Sequence, residues 1–104
     1  MSKPRLAIIG SGNIAEFHVL ACREAGFNIS AIAASPGSKR VRQFSKKHNI
    51  PLVYASADLL LDAFEEWDAL LICSSIDSTL EILTKAVEIG TPILVEKPIS
   101  FRSM

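Results

Sequence analysis

The chain has 104 residues, nearly half of them hydrophobic, and its eleven acidic residues balance its eleven basic ones. That length holds one compact domain with a real core, and that hydrophobicity excludes a disordered chain. A neutral balance argues against a general nucleic-acid or membrane-surface role, which calls for a strongly basic face.

Strand and helix signals alternate with almost no filler. The apolar run at Arg5–Ile9 reads as a strand that empties into Gly10-Ser11-Gly12. A helix follows over about Asn13–Ala25, with Ile14, Ala15, His18, Val19 and Cys22 at helical spacing, and stops at Gly26. Asn28–Ala33 is a second apolar strand, and Ser35-Pro36-Gly37 a turn. Ser38 is placed to cap a helix through His48, which Asn49 and Pro51 end. Leu52–Tyr54 makes a short third strand. Ser56 then caps a helix over Ala57–Glu66, with Leu60, Leu61 and Phe64 on its inner face. Ala69–Ile72 is a fourth strand, a polar loop runs from Ser74 to Asp77, and a helix over Ser78–Ile89 closes at Gly90. Pro92–Glu96 is the fifth strand.

Unbroken apolar strands, each followed by an amphipathic helix, indicate a parallel sheet covered on both faces. Right-handed crossovers then give an α/β doubly wound (Rossmann) sheet of five strands in the order 3-2-1-4-5. In such a sheet a ligand sits across the carboxyl ends of strands one and four, where the winding reverses. The glycine loop, the turn after strand two and the Cys73–Asp77 loop all fall on that edge.

The glycine loop has a definite chemistry. Gly10 allows the tight turn, Gly12 lets a phosphate approach the backbone, and small Ala15 lets helix and strand pack closely. The first helical turn presents unpaired N–H groups and a positive dipole end, which suit a pyrophosphate. A glycine turn that binds nothing is the plain alternative, and the strand before it and helix after it weigh against that. We take Gly10, Ser11, Gly12, Asn13 and Ile14 as cofactor-binding residues, with Cys73, Ser74 and Ser75 facing them from strand four.

The end of strand two speaks to which dinucleotide binds. An NAD-specific domain ends this strand with an acid that holds the adenosine ribose and repels a 2′-phosphate. Here Ala33-Ala34-Ser35 stands there, with no acid between Glu24 and Asp58, and Ser38, Lys39 and Arg40 follow. Hydroxyls and a guanidinium at a helix start are donors for a phosphate dianion, so Ser35, Ser38 and Arg40 point to NADP, with NAD the second choice. Arg42, Lys46 and Lys47 extend the basic run as a solvated face.

With its glycine loop and its Thr91-Pro92-Ile93-Leu94-Val95-Glu96-Lys97-Pro98 segment, the chain resembles the N-terminal domain of the Gfo/Idh/MocA oxidoreductases. The two motifs lie about 85 residues apart, which suits that family. The resemblance implies a nucleotide-binding domain over 1–104, with the family's second, substrate-binding domain absent from this chain. It implies a parent reaction that moves hydride between a nicotinamide cofactor and a sugar or polyol alcohol or ketone. Lys97 inherits a catalytic place near the nicotinamide ribose and substrate, where an amine can hydrogen-bond an alcohol or help move its proton. Glu96 holds the loop or ribose. The family's Thr-Pro-Asn-x-x-His pattern is replaced by Cys73-Ser74-Ser75-Ile76-Asp77-Ser78-Thr79, with Thr79 where the histidine would stand.

A free-standing dinucleotide sensor is the rival reading. On the oxidoreductase reading, partners are the dinucleotide itself and a small-molecule substrate that needs the missing domain, with no nucleic acid and no membrane. No metal is implied. Cys22 and Cys73, few and far apart, fit a cytoplasmic protein. The short tail after strand five leaves that strand at an edge beside an uncovered apolar patch, so self-association of the isolated domain is expected.

Overall fold

The computed structural model of the chain describes residues 3–10, 13–34, 40–73 and 76–95. In chain order the elements are β1 (Arg5–Ile9), α1 (Asn13–Glu24), β2 (Asn28–Ala33), α2 (Arg40–His48), β3 (Leu52–Tyr54), α3 (Ala57–Asp62), a 3-10 turn (Phe64–Glu66), β4 (Ala69–Ile72), α4 (Ile76–Ile89) and β5 (Ile93–Val95). The strands form one parallel sheet in the order β3-β2-β1-β4-β5, the doubly wound topology expected from the apolar runs.

Both faces of the sheet are covered, which is why its strands carry few polar residues. Leu6 and Ile8 of β1 pack with Ala15 and Val19 of α1 and Val41 and Phe44 of α2. Ala7 and Ile9 face the other way, towards Leu60 and Leu61 of α3 and Ile82 and Ala86 of α4. β2 departs from strict alternation. Its register against β1 moves from Leu6↔Ile29 to Ala7↔Ala31, which leaves Ser30 as an extra residue. This bulge lets both Ile29 and Ile32 reach the α1/α2 side, and the buried Ser30 hydroxyl donates to the Glu66 carbonyl (3.3 Å).

The third helix is shorter than its pattern suggests. Ser56 caps it as expected, its hydroxyl accepting from the Leu59 N–H (3.2 Å). The α-helix nevertheless stops at Asp62, where the Ala63 N–H turns to the Leu59 and Leu60 carbonyls and a 3-10 turn begins. Phe64 is therefore not on the inner face: the tighter turn swings it outward and leaves it 49% exposed. Trp67 is buried instead, and its indole N–H donates to the Leu60 carbonyl (3.0 Å), which also accepts from the Ala63 N–H.

Side-chain bonds tie the two helices of the other layer together. Lys47 of α2 pairs with Glu16 of α1, and the Arg23 guanidinium donates to the His48 carbonyl. Lys47 is thus more than part of a solvated face. At the amino end of β1, Asp68 accepts from the Arg5 N–H (2.7 Å) and from the Arg5 guanidinium (3.2 Å). This pair holds the Asp68 carboxyl below the ordinary carboxylate range and raises Arg5. Among the described residues no helix is long and apolar enough to cross a membrane.

Candidate dinucleotide site

Three strands end together on one edge. The Gly10 N–H, just past β1, donates to the Ala33 carbonyl that ends β2 (2.8 Å). The Cys73 N–H, just past β4, donates to the Ile9 carbonyl (2.8 Å). β1 is the central strand, its neighbours were reached by windings of opposite sense, and the crevice outside its carboxyl end is the topological switch point.

Gly10 occupies the middle of this edge and must be glycine for two reasons. Its φ is +120°, a conformation L side chains rarely adopt. A Cβ there would also lie 2.7 Å from the Cys73 carbonyl oxygen and 3.0 Å from its carbon. The strand ends nearby are Ala33, Ala34 and Cys73, all small and uncharged. Asn13 and Ile14 then open α1, a 12-residue helix whose first-turn N–H groups emerge at this edge. Open N–H groups beside small, uncharged strand ends fit a pyrophosphate. Arg40, exposed, opens α2 on the connection that leaves β2. β5 ends on the same edge at Val95, because it runs parallel to β4.

The structure therefore brings together Gly10, Cys73 and the start of α1, and sets Arg40 at the start of the next helix. Ser11, Gly12, Ser35, Ser38, Ser74, Ser75, Glu96 and Lys97 lie outside the described residues. Sequence reasoning missed the part played by the Cys73 and Ala33 carbonyls, which wedge Gly10 in place. Only the glycine itself signalled it. His18 is half-buried on α1, edge-on to Phe17 with ring centroids 5.8 Å apart. Cys22 is buried in the α1 core, and burial raises its thiol pKa, so it is poorly suited to react. Among the described residues no three His, Cys, Asp or Glu side chains gather as a metal would need.

A parallel sheet with a glycine wedge at its switch point defines a dinucleotide-binding α/β domain, and comparison with known proteins narrows the class. Residues 4–104 match the Gfo/Idh/MocA oxidoreductase family in its NAD-binding Rossmann fold, and the chain belongs to that family. It is similar to an oxidoreductase from Thermotoga maritima, with 30% identity over 94% of this chain and 31% of that one and a TM-score of 0.78. Two further likenesses show the fold alone. An oxidoreductase from Agrobacterium radiobacter, solved with NAD+, L-tartaric acid and magnesium, shares 23% identity over 93% of this chain and 28% of that one, with a TM-score of 0.84. A putative myo-inositol dehydrogenase from Sinorhizobium meliloti shares 23% over 91% and 28%, with a TM-score of 0.79. The chain spans less than a third of the length of these solved proteins. No protein of curated function matches it.

Proposed function

We propose that this chain is the cofactor-binding part of an oxidoreductase that moves hydride between a nicotinamide dinucleotide, NADP in preference to NAD, and a sugar- or polyol-type alcohol or ketone. The observation that carries the reading is the Gly10 wedge: among the described residues, backbone and the small Ala33, Ala34 and Cys73 end the strands there, and α1 starts at Asn13 beyond Gly10. Such an edge accepts a pyrophosphate against helix N–H groups. Gly10, Ser11, Gly12, Asn13 and Ile14 would hold the pyrophosphate, and Cys73, Ser74 and Ser75 the nicotinamide side.

The preference for NADP is supported by what ends β2 and begins α2. Ala33 and Ala34 offer no carboxylate to a ribose, and Arg40 offers a guanidinium. Ser35 and Ser38 would add hydroxyl donors. When bound, the nicotinamide supplies the hydride acceptor or donor. Lys97 would hydrogen-bond the substrate oxygen and hold or pass its proton, with Glu96 steadying the loop or ribose. That placement rests on the family resemblance. Cytoplasmic residence is supported by the two cysteines, set apart on α1 and at the end of β4. Calorimetric titration with NADPH and NADH tests the reading: tighter NADPH binding is expected, and equal affinities or tighter NADH binding would overturn the preference.

A further inference from the structure

The net charge of zero conceals a division between the two helical layers. α1 and α2 hold Arg23, Arg40, Arg42, Lys46 and Lys47 against Glu16 and Glu24. Across the sheet, α3, the 3-10 turn and α4 hold Asp58, Asp62, Glu65, Glu66, Asp77, Glu81 and Glu88 against Lys85 alone. Lys85 is already paired with Asp58.

The acidic layer is also indented. A groove of about 670 Å³ runs between α3 and α4, with Leu61 and Ile89 in its floor, Phe64 in its wall and Asp62 and Glu88 on its rim. The basic layer carries the complement. Phe17 (70% exposed) and Leu20 (59%) project from the side of α1 opposite its buried Ala15, Val19 and Cys22. Arg42 and Lys46 are exposed on α2, the neighbouring helix of the same layer, on the flank away from Lys47, whose pair with Glu16 joins α2 to α1.

We propose that a second copy of this chain seats its α1/α2 layer on the α3/α4 groove of the first. Phe17 and Leu20 enter the groove over Phe64 and Leu61, and the basic α1/α2 layer, with Arg42 and Lys46 exposed on it, meets the acidic layer around Asp62 and Glu88. Charge selects this head-to-tail arrangement, because a two-fold pairing of like layers sets acid against acid or base against base. The β5 edge is the weaker surface: as a described strand it is three residues long and offers few backbone bonds to a neighbour.

Sedimentation velocity of the whole chain, from about 5 to 200 µM in about 50 mM salt, should show growth with concentration, and about 500 mM salt should weaken it at least tenfold. Arg42→Glu with Lys46→Glu should give monomers, as should Asp62→Lys with Glu88→Lys. Mixed in equal amounts at about 150 mM salt, these two variants should associate again, because the basic layer of the second meets the acidic groove of the first and the two reversed layers also attract. Adding Phe17→Ser to the second variant, whose α1/α2 layer keeps Arg42 and Lys46, should weaken that association. Circular dichroism establishes that each variant is folded. A wild-type monomer throughout overturns the proposal. So does association that survives both double substitutions, or a mixture of folded variants that fails to associate or that is unchanged by Phe17→Ser in the second variant. NADPH binding, measured separately, stands or falls independently of these outcomes.

Discussion

Gly10 and Cys73 approach so closely that one added methyl group on the glycine would come within 2.7 Å of the cysteine carbonyl oxygen. That oxygen belongs to the backbone just past β4, which is pinned to Ile9 by its own N–H, so it cannot swing away. Gly10→Ala should therefore combine backbone strain with overpacking and cost about 2–4 kcal/mol in urea unfolding. Gly26→Ala provides the comparison. It shares a positive φ of +99° but meets nothing within 4 Å, and should cost only the strain, about 1–2 kcal/mol. Equal losses at the two positions would mean that the edge yields.

Arg40→Ala should weaken NADPH binding by about 1.5–3 kcal/mol, roughly 10- to 100-fold, because it removes a charge-assisted contact to the 2′-phosphate. NADH has no such phosphate, so its affinity should stay within about twofold. Titration calorimetry of both cofactors checks the difference. A parallel loss for both would assign Arg40 to holding the fold.

Gly12→Val should abolish cofactor binding, since a branched side chain would fill the space the pyrophosphate needs. The far-ultraviolet circular dichroism should hardly change, because the first helix still forms. Normal NADPH binding by this variant would move the phosphate site elsewhere.

The indole of Trp67 is buried in the core cluster, Phe64 being exposed, and donates to the Leu60 carbonyl. Trp67→Phe keeps most of the ring and loses the bond, with an expected cost of about 1 kcal/mol. Trp67→Ala empties the site and should cost about 3–5 kcal/mol. Thermal or urea unfolding separates the two. A cost for Trp67→Phe as large as that for Trp67→Ala would make the hydrogen bond dominant over packing.

His48 is buried against Phe44, with ring centroids 4.6 Å apart, and its Nε2 has no hydrogen-bond partner among the described residues. Desolvation lowers its pKa below the ordinary 6.5; Lys47 and Arg23 add to this, and Glu16 opposes them. The unfolded chain thus takes up this proton more readily than the folded one. The His48 contribution to stability is fully present above about pH 6.5 and lost as the pH falls through the depressed folded value. His48→Leu should flatten the stability profile between about pH 7 and 5, measured by urea unfolding at a series of pH values. An unchanged slope would place the acid sensitivity on other groups.

What could be read from the sequence follows physical range. Strand order was legible because each strand is a nearly unbroken apolar run, and because glycine marks the switch point by itself. The fate of Phe64 was not: an α-turn and a 3-10 turn after Leu61 continue the same spacing, and the burial of Trp67 in the core is a tertiary outcome that no spacing records. Nor was the Ser30 bulge, since Ile29, Ser30, Ala31 and Ile32 are small or apolar in either register. The wedge on Gly10 depends on where β4 comes to rest beside β1, which no local pattern records. The division of charge escaped as well, because a sum of zero carries no information about which layer holds which sign.

The position of β1 has a consequence in time. Of the five strands of this sheet it is the first to be synthesised, yet it ends up in the middle, with Asp68 bound to Arg5 across 63 positions of chain. During translation β1 can pair with β2 early, but its second edge stays open until β4 has left the ribosome. Closing so long a loop before any reward makes this slower than the folding of a helical bundle of similar size. A ribosome stalled between β3 and β4 would hold a nascent chain with the apolar flank of β1 exposed, and at that stage the chain has most need of a chaperone.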